Sequence, residues 1–477
     1  MRYIFFIALY VLALNASDSK DLVIEKLLKE VESLKKSVEE LKQNQIIFKK
    51  KQVETDLYVD EVYDFAEKIE TLTLEDKLKL GMAFKTSLDN FSKEYGDSHK
   101  VKNENIWSNK LMLNLKADIS PDMKLYSRFT MYKYWGSGIP HLYTKYDNMQ
   151  GRVPSDSSLY VERAYLDWIF NKNGYIPMAL TIGRQPSADG PSNQLKDNTA
   201  RKATYSALLY DGAADGMVLT FDISKALSYK GTFLRFGYAK GFGYSEYSND
   251  VANAFIGASN TLLKDTDVYG IFLDTTLPNV KKSLIQLSYS KIDNIIANQL
   301  DTNTEENTNI GDIDMYGAMI EISNFKDSKL DMFLHYGYIS THPNSNVYLD
   351  YGGLLSSSDD ISAKSAYAIW IGSRYGFGDE SKYKIGLEYN HGSKNWVSLT
   401  QGSFDIYNKL ATRGDAYEAY FMYVINRYSN IRLGYININY DYTKSGWFVG
   451  EGEVINDMTP NKVKQMQSIY LKMSVNY

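Results

Sequence analysis

Residues 468–477 read SIYLKMSVNY. Split by parity, Ile469, Leu471, Met473, Val475 and Tyr477 fall on one face of a strand, and Ser468, Tyr470, Lys472, Ser474 and Asn476 on the other. The first face is wholly apolar and the second is polar. Such a strand, with no polar tail after it, is explained if it pairs with the first strand of its own sheet, because a closed barrel has no edge to protect. The apolar parity then faces lipid, and Tyr477 stands at an aromatic girdle.

The same alternation recurs along the chain. It begins with Leu78, Leu80, Met82 and Phe84, and continues through NKLMLNLKADIS, KLYSRFTMYKYW, SLYVERAYLDWIF and MALTIGRQ to IRLGYININYDY and the terminal strand. About sixteen such segments of roughly 9 to 15 residues can be counted, longer than soluble strands and long enough to cross a bilayer when tilted. Tight connections (SPDM, FKDS, NRYSN) alternate with long polar ones such as GSGIPHLYTKYDNMQGRVPSDS, DNIIANQLDTNTEENTNIGD and HPNSNVYLDYGGLLSSSDDISAKS. The fold class expected is therefore an all-β transmembrane barrel of about 16 antiparallel strands over residues 76–477, preceded by a helical coiled coil.

Composition agrees. The chain has 40 Tyr and 20 Phe against 9 Pro and no Cys. Tyrosine suits an extended boundary between apolar and wet surroundings. The missing Cys removes disulfides, thiolate metal sites and thiol catalysis. A net charge of -5 argues against nucleic acid as partner.

Residues 1–16 read as a signal peptide: Arg2, an apolar run from Ile4 to Leu14, and small residues allowing cleavage after Ala16. The run is too short for a spanning helix, and a buried N-terminal helix is the alternative. Residues 17–75 carry heptads, with Ile24, Val31 and Val38 on one core position and Leu27, Leu34, Leu41 and Phe48 on the other. The frame continues through Gln45 and Gln52 to Val59, Val62, Ala66 and Ile69. A periplasmic helix of about 80 Å, associating as dimer or trimer, is expected. One amphipathic helix packed on its own domain is the other reading.

Gly183–Pro191, GRQPSADGP, is followed by a long segment without alternation. Here the sequence resembles bacterial porins, in which a strand ending in a Gly-Arg-Gln type motif feeds a loop that folds into the lumen. It is also similar to the porin-like outer-membrane proteins of epsilon-class Gram-negative bacteria that carry an N-terminal coiled coil. The final aromatic resembles the assembly signal of outer-membrane barrels, most of which end in Phe. These resemblances imply an outer-membrane location and passage of small solutes.

If the Gly183–Thr204 loop enters the lumen, Arg184, Asp189, Lys196, Asp197, Arg201 and Lys202 would line its constriction; a solvated external loop is the alternative. Strand parity adds Arg128, Arg163, Asp167, Arg235, His335, Arg374 and Glu418 to the inward face, since Arg in lipid costs about 2–4 kcal/mol near the midplane. They would line a pore or hydrogen-bond inside a plugged barrel.

No catalytic fingerprint is present, and the five His, at 99, 141, 335, 342 and 391, have no metal spacing. Asp211 and Asp215 in DGAADG read as turns in preference to a calcium site, and DTNTEEN could bind divalent ions. No metal, cofactor or enzymatic activity is expected. The function expected is a porin-like channel for small hydrophilic solutes or ions, embedded in outer-membrane lipid. A structural or adhesive protein is the second reading, and an outer-membrane enzyme using His335 or Arg163 the third.

Overall fold

The computed structural model describes residues 77–135, 157, 159–187, 190–242, 265–298, 307–345, 353–357, 360–400 and 405–477, with Val31, Glu32, Ser33, Lys35, Lys36 and Glu39. The chain divides into two compact units, Met1–Thr71 and Leu72–Tyr477. In the first, the described residues are helical. The signal peptide, most of the heptad region, Asp189 and the acidic stretch before Asn307 lie outside the described residues.

The second unit is a closed antiparallel barrel of sixteen strands, each hydrogen-bonded to its sequence neighbours. They are β1 (Leu78–Tyr95), β2 (Lys100–Ser120), β3 (Met123–Tyr134), β4 (Tyr160–Phe170), β5 (Met178–Ser187), β6 (Gly212–Asp222), β7 (Phe233–Phe242), β8 (Thr266–Thr275), β9 (Ser283–Asn298), β10 (Asn307–Ile322), β11 (Leu330–Pro343), β12 (Ser365–Phe377), β13 (Tyr383–Gly392), β14 (Gly414–Asn426), β15 (Ser429–Tyr440) and β16 (Val463–Asn476). All sixteen alternating segments are strands. Their ends run further than the alternation suggests: β9 and β10 absorb most of the expected long connection between them, and DGAADG is the start of β6, not a pair of turns.

The seam lies where the terminal parity places it. β16 pairs with β1, with Leu471 opposite Leu88 and Val475 opposite Phe84. Tyr477 and Met82 exchange both backbone hydrogen bonds at 2.7 Å, so pairing is satisfied to the last residue. Ile469, Leu471 and Met473 are exposed on the outside, while Ser468, Tyr470 and Ser474 are buried inside.

Two aromatic belts bound the apolar band. At the long-loop end Tyr238–Tyr269, Tyr289–Tyr316 and Tyr389–Tyr417 have ring centroids 5.5, 5.1 and 5.1 Å apart. Tyr238, Tyr289 and Tyr389 donate to Asp267, Asp314 and Asp415 at 2.7, 2.8 and 2.7 Å. At the short-turn end Tyr383 packs on Phe377 and Tyr423, each at 5.5 Å, and Tyr477 on Tyr428 at 5.6 Å. Rings at two levels with an aliphatic band between them match the two wet boundaries of a bilayer.

On the inner wall, rings lie over glycines of the neighbouring strand. A Cβ on Gly434 would stand 2.2 Å from the Tyr470 ring, and one on Gly386 2.1 Å from the Tyr420 ring. The glycines let two large side chains lie flat against the wall.

If this outer face meets hydrocarbon, Leu471→Arg should lower the unfolding free energy of the membrane-inserted barrel by about 2–4 kcal/mol. Denaturant titration in liposomes measures it, and a change under about 0.5 kcal/mol would mean that Leu471 does not face lipid.

Candidate functional site

The lumen is divided by chain from the long connections. Residues 190–211 turn inward after β5, and 353–357, 393–400, 405–413 and 443–450 pack with them. Leu209 and Asp211 exchange backbone hydrogen bonds with Leu399 at 2.9 and 2.8 Å, and Leu355 N–H donates to Phe448 O at 3.1 Å. Arg413, fully buried, donates to the carbonyls of Trp396, Thr443 and Trp447 at 3.1, 3.2 and 2.7 Å. Leu208, Leu209, Leu354, Trp396 and Val397 then join Ile292, Ile313, Phe333 and Trp370 of the wall in one apolar core. The alternation cannot foresee this, since it says only that such positions face inward.

A short helix, α1 (Asn193–Asp197), spans from this core to the opposite wall. Leu195 is in the core, while the two residues after it are held by charge. Lys196 Nζ donates to Glu418 on β14 at 3.0 Å. Asp197 accepts from Lys85 on β1 at 2.6 Å and from Arg432 on β15 at 3.1 Å. Glu418 also accepts from Tyr470 on β16 at 2.5 Å and from Lys409, which bridges to Glu388. Burial opposes the charge of Lys196, but the fields of Glu418 and Glu388 outweigh it and hold its pKa well above the lysine range. Burial likewise opposes ionisation of Asp197, and Lys85, Arg432 and Lys472 outweigh it, so its carboxyl lies well below the usual range.

Behind α1 is a cleft with about 80 Å³ open to water, bounded by β1, β2, β3 and β14–β16 on one side and by residues 193–197 and 405–407 on the other. Among the described residues its lining holds five cations, Lys85, Lys110, Lys196, Arg432 and Lys472, and five carboxylates, Asp89, Asp197, Asp211, Asp405 and Glu418. The wall side is mostly basic and the loop side mostly acidic.

The expected lumen residues divide into groups. Lys196, Asp197 and Glu418 meet at the cleft. Arg374 donates to Asp331 at 2.6 Å and to the Leu195 carbonyl, anchoring the other side of α1. Arg128 and Arg163 flank Glu162 at 3.1 and 3.0 Å, away from α1. Asp167 accepts from Thr181 at 2.6 Å. Arg235 and Arg201 share Asp274 at 2.7 and 3.6 Å, and Lys202 is half-buried.

Arg184 requires correction. It stands opposite outward-facing Ala164 and pairs with Asp215, 55 % exposed, at 3.0 Å. Its parity with Leu180 and Ile182 puts it on the outer rim of the wall, outside the lumen.

Sequence reasoning did not single out Glu162, Lys85, Lys110, Arg432, Lys472, Lys409, Asp89 or Tyr407. Glu162 has the wrong parity and is turned inward because it is the extra residue of a bulge in β4, opposite the Arg128–Phe129 step of β3. Lys472 stood on the polar face of the terminal strand and could have been chosen. Lys409 and Tyr407 lie in a connection, where no period marks direction.

Ser192, 1 % exposed, donates to Glu321 at 2.5 Å and lies 3.1 Å from Nε2 of fully buried His335. Ser206 holds the other ring nitrogen at 2.7 Å. These groups tether the inward segment to β10 and β11, and Ser192, Ser206, Glu321 and His335 are all buried. Among the described residues no group of three or more His, Cys, Asp or Glu is placed to hold a metal ion.

The family described as "Protein of unknown function (DUF3373)" matches residues 100–477, and the chain belongs to it. No curated protein matches. Among solved structures, Salmonella typhi OmpF in complex with daunomycin is 11 % identical, with 84 % of this chain and 99 % of that one covered and a TM-score of 0.46. Pseudomonas putida OprB at high pH is 10 % identical, with 85 % and 95 % covered and a TM-score of 0.48. The trimer form of in-vitro folded OmpT of Vibrio cholerae is 10 % identical, with 84 % and 100 % covered and a TM-score of 0.42.

Asp197→Asn should leave Lys85 and Arg432 without their shared counter-charge and destabilise the barrel by about 2–3 kcal/mol, less than the roughly 3–5 kcal/mol of a fully buried broken pair because Asp197 keeps 20 % of its surface. The folded carboxyl has a lowered pKa, so its contribution is complete above about pH 4 and is lost as pH falls through the folded value. Unfolding titrations of both proteins from neutral to acid pH should show the difference shrinking.

Proposed function

We propose that this member of the DUF3373 family is an outer-membrane channel for small hydrophilic solutes or ions, working by charge and width and without a catalytic step. The observation that carries the reading is the charged cleft between residues 193–197 and the basic wall of β1, β2, β15 and β16. A barrel of sixteen strands is wide enough for an aqueous lumen. Here inward-turned chain occupies part of it and leaves polar space along one side. Opposite charges on facing sides of a narrow gap in a low-dielectric wall create a field across the path. Polar solutes can align in that field, whereas apolar ones gain nothing for the water they lose.

The apolar outer band and two aromatic belts support a bilayer as its solvent, and the apolar run at residues 4–14 supports export. The heptads of residues 24–69 support association into a dimer or trimer through a periplasmic coiled coil.

A second reading is favoured by the apolar core that fills the β9–β12 side of the lumen. A barrel filled in this way could serve as a structural or adhesive anchor, with the helical unit as its tether.

Planar-bilayer recording of the refolded protein in a salt gradient separates the two. The channel predicts steady ohmic steps with a defined reversal potential. Silence from protein shown to be folded and inserted would remove the channel reading. Deleting residues 21–73 would then be expected to impair envelope integrity or attachment.

A further inference from the structure

The cleft has equal numbers of cations and carboxylates, yet they are not equally engaged. Asp197 takes Lys85 and Arg432. Glu418 takes Lys196, Lys409 and Tyr470. Asp89 takes Tyr407 and, at 2.8 Å, Ser87. Asp211 accepts from Asn193 at 3.2 Å, and Asp405 from the backbone N–H groups of Tyr407 and Lys409 at 3.1 and 3.2 Å. Every carboxylate of the lining therefore has a donor.

The donors are not used up. Lys472 points into the cleft from β16 and makes no hydrogen bond or ion pair among the described residues. Directly opposite it on β15 is Arg432, 3 % exposed, whose Nη1 reaches Asp197 while its buried Nε has no partner. Two like charges at facing positions of neighbouring strands repel, and a buried unsatisfied donor costs about 1–3 kcal/mol. Lys85 and Lys110 repeat the facing arrangement on β1 and β2. The wall of the cleft is thus a row of cations across four adjacent strands, and two neighbours in it retain free donor capacity.

We propose that Lys472 and Arg432 form a binding subsite for a small oxyanion, the carboxylate or phosphate of a passing solute. An oxyanion beside these residues would accept from Lys472 Nζ and Arg432 Nε together and relieve their repulsion. Charge-assisted hydrogen bonds of this kind are the stronger sort, and the guanidinium edge suits carboxylate and phosphate alike. The subsite rests on the channel reading for its role, since it names the class of solute held on the way through. Its existence does not depend on conduction.

The test is calorimetric titration of the refolded full chain in detergent, at about 0.01 M ionic strength to limit screening, with inorganic phosphate in one arm and acetate in the other. Saturable binding in either arm is expected, and the arm that saturates names the oxyanion. Lys472→Gln should weaken it at least about ten-fold, and Lys472→Arg should restore most of it. No saturable binding by the folded wild type in both arms overturns the proposal, whatever the variants do. Equal binding by wild type and Lys472→Gln overturns it too. Parallel bilayer recording keeps the two ideas apart. A barrel that conducts without binding either anion sinks the subsite alone, and one that binds without conducting sinks the channel alone.

Discussion

Everything in this molecule depends on the backbone of β1 finding the backbone of β16. In hydrocarbon no water is available for an open sheet edge, and each unpaired peptide group costs several kcal/mol. Sixteen strands remain stable there only as a closed ring, and the ring closes with Tyr477 and Met82 exchanging hydrogen bonds at its last rung. Closure also fixes the sense of every side chain. Once the seam register is set, odd positions of β16 are outside and even ones inside, and each neighbouring strand inherits the same division through its ladder.

That division creates the chemistry inside. Charges excluded from the outer wall are tolerated on the inner one, and they are arranged there in partnership with chain that enters from the long connections. Apolar residues of the inward segments fill one side of the lumen against β9–β12. Charged residues hold α1 against β14, β15 and β1 on the other. The cleft exists because the two sides use different forces: dispersion and desolvation pack the first closely, while paired charges keep side chains extended and leave space between them.

The wall could be read from residue order because a strand has a period of two and a bilayer imposes one polarity on one parity. Parity alone put Arg128, Arg163, Arg235, His335, Arg374 and Glu418 on the inner surface, where they are found. Parity failed where the period is broken, at Glu162, turned inward by a bulge; at Arg184 parity held and it was the motif, suggesting the lumen, that misled. It gave no information on Lys409, Tyr407, Trp396 or Arg413, since connections have no period and their direction is set by contacts far away in the chain.

The sequence by itself determined a closed barrel of about sixteen strands, its seam, the girdle position of Tyr477 and the inward face of most of the charged wall residues it singled out. These follow from local alternation and from the solvent on each side. Only the tertiary structure decided which connections turn inward, that α1 is gripped by Glu418, Lys85 and Arg432, and that Lys472 and Arg432 stand together with donors to spare. The grip on α1 depends on ion pairs between residues 112 to 235 positions apart, whose energies arise only when closure of the ring brings them within reach.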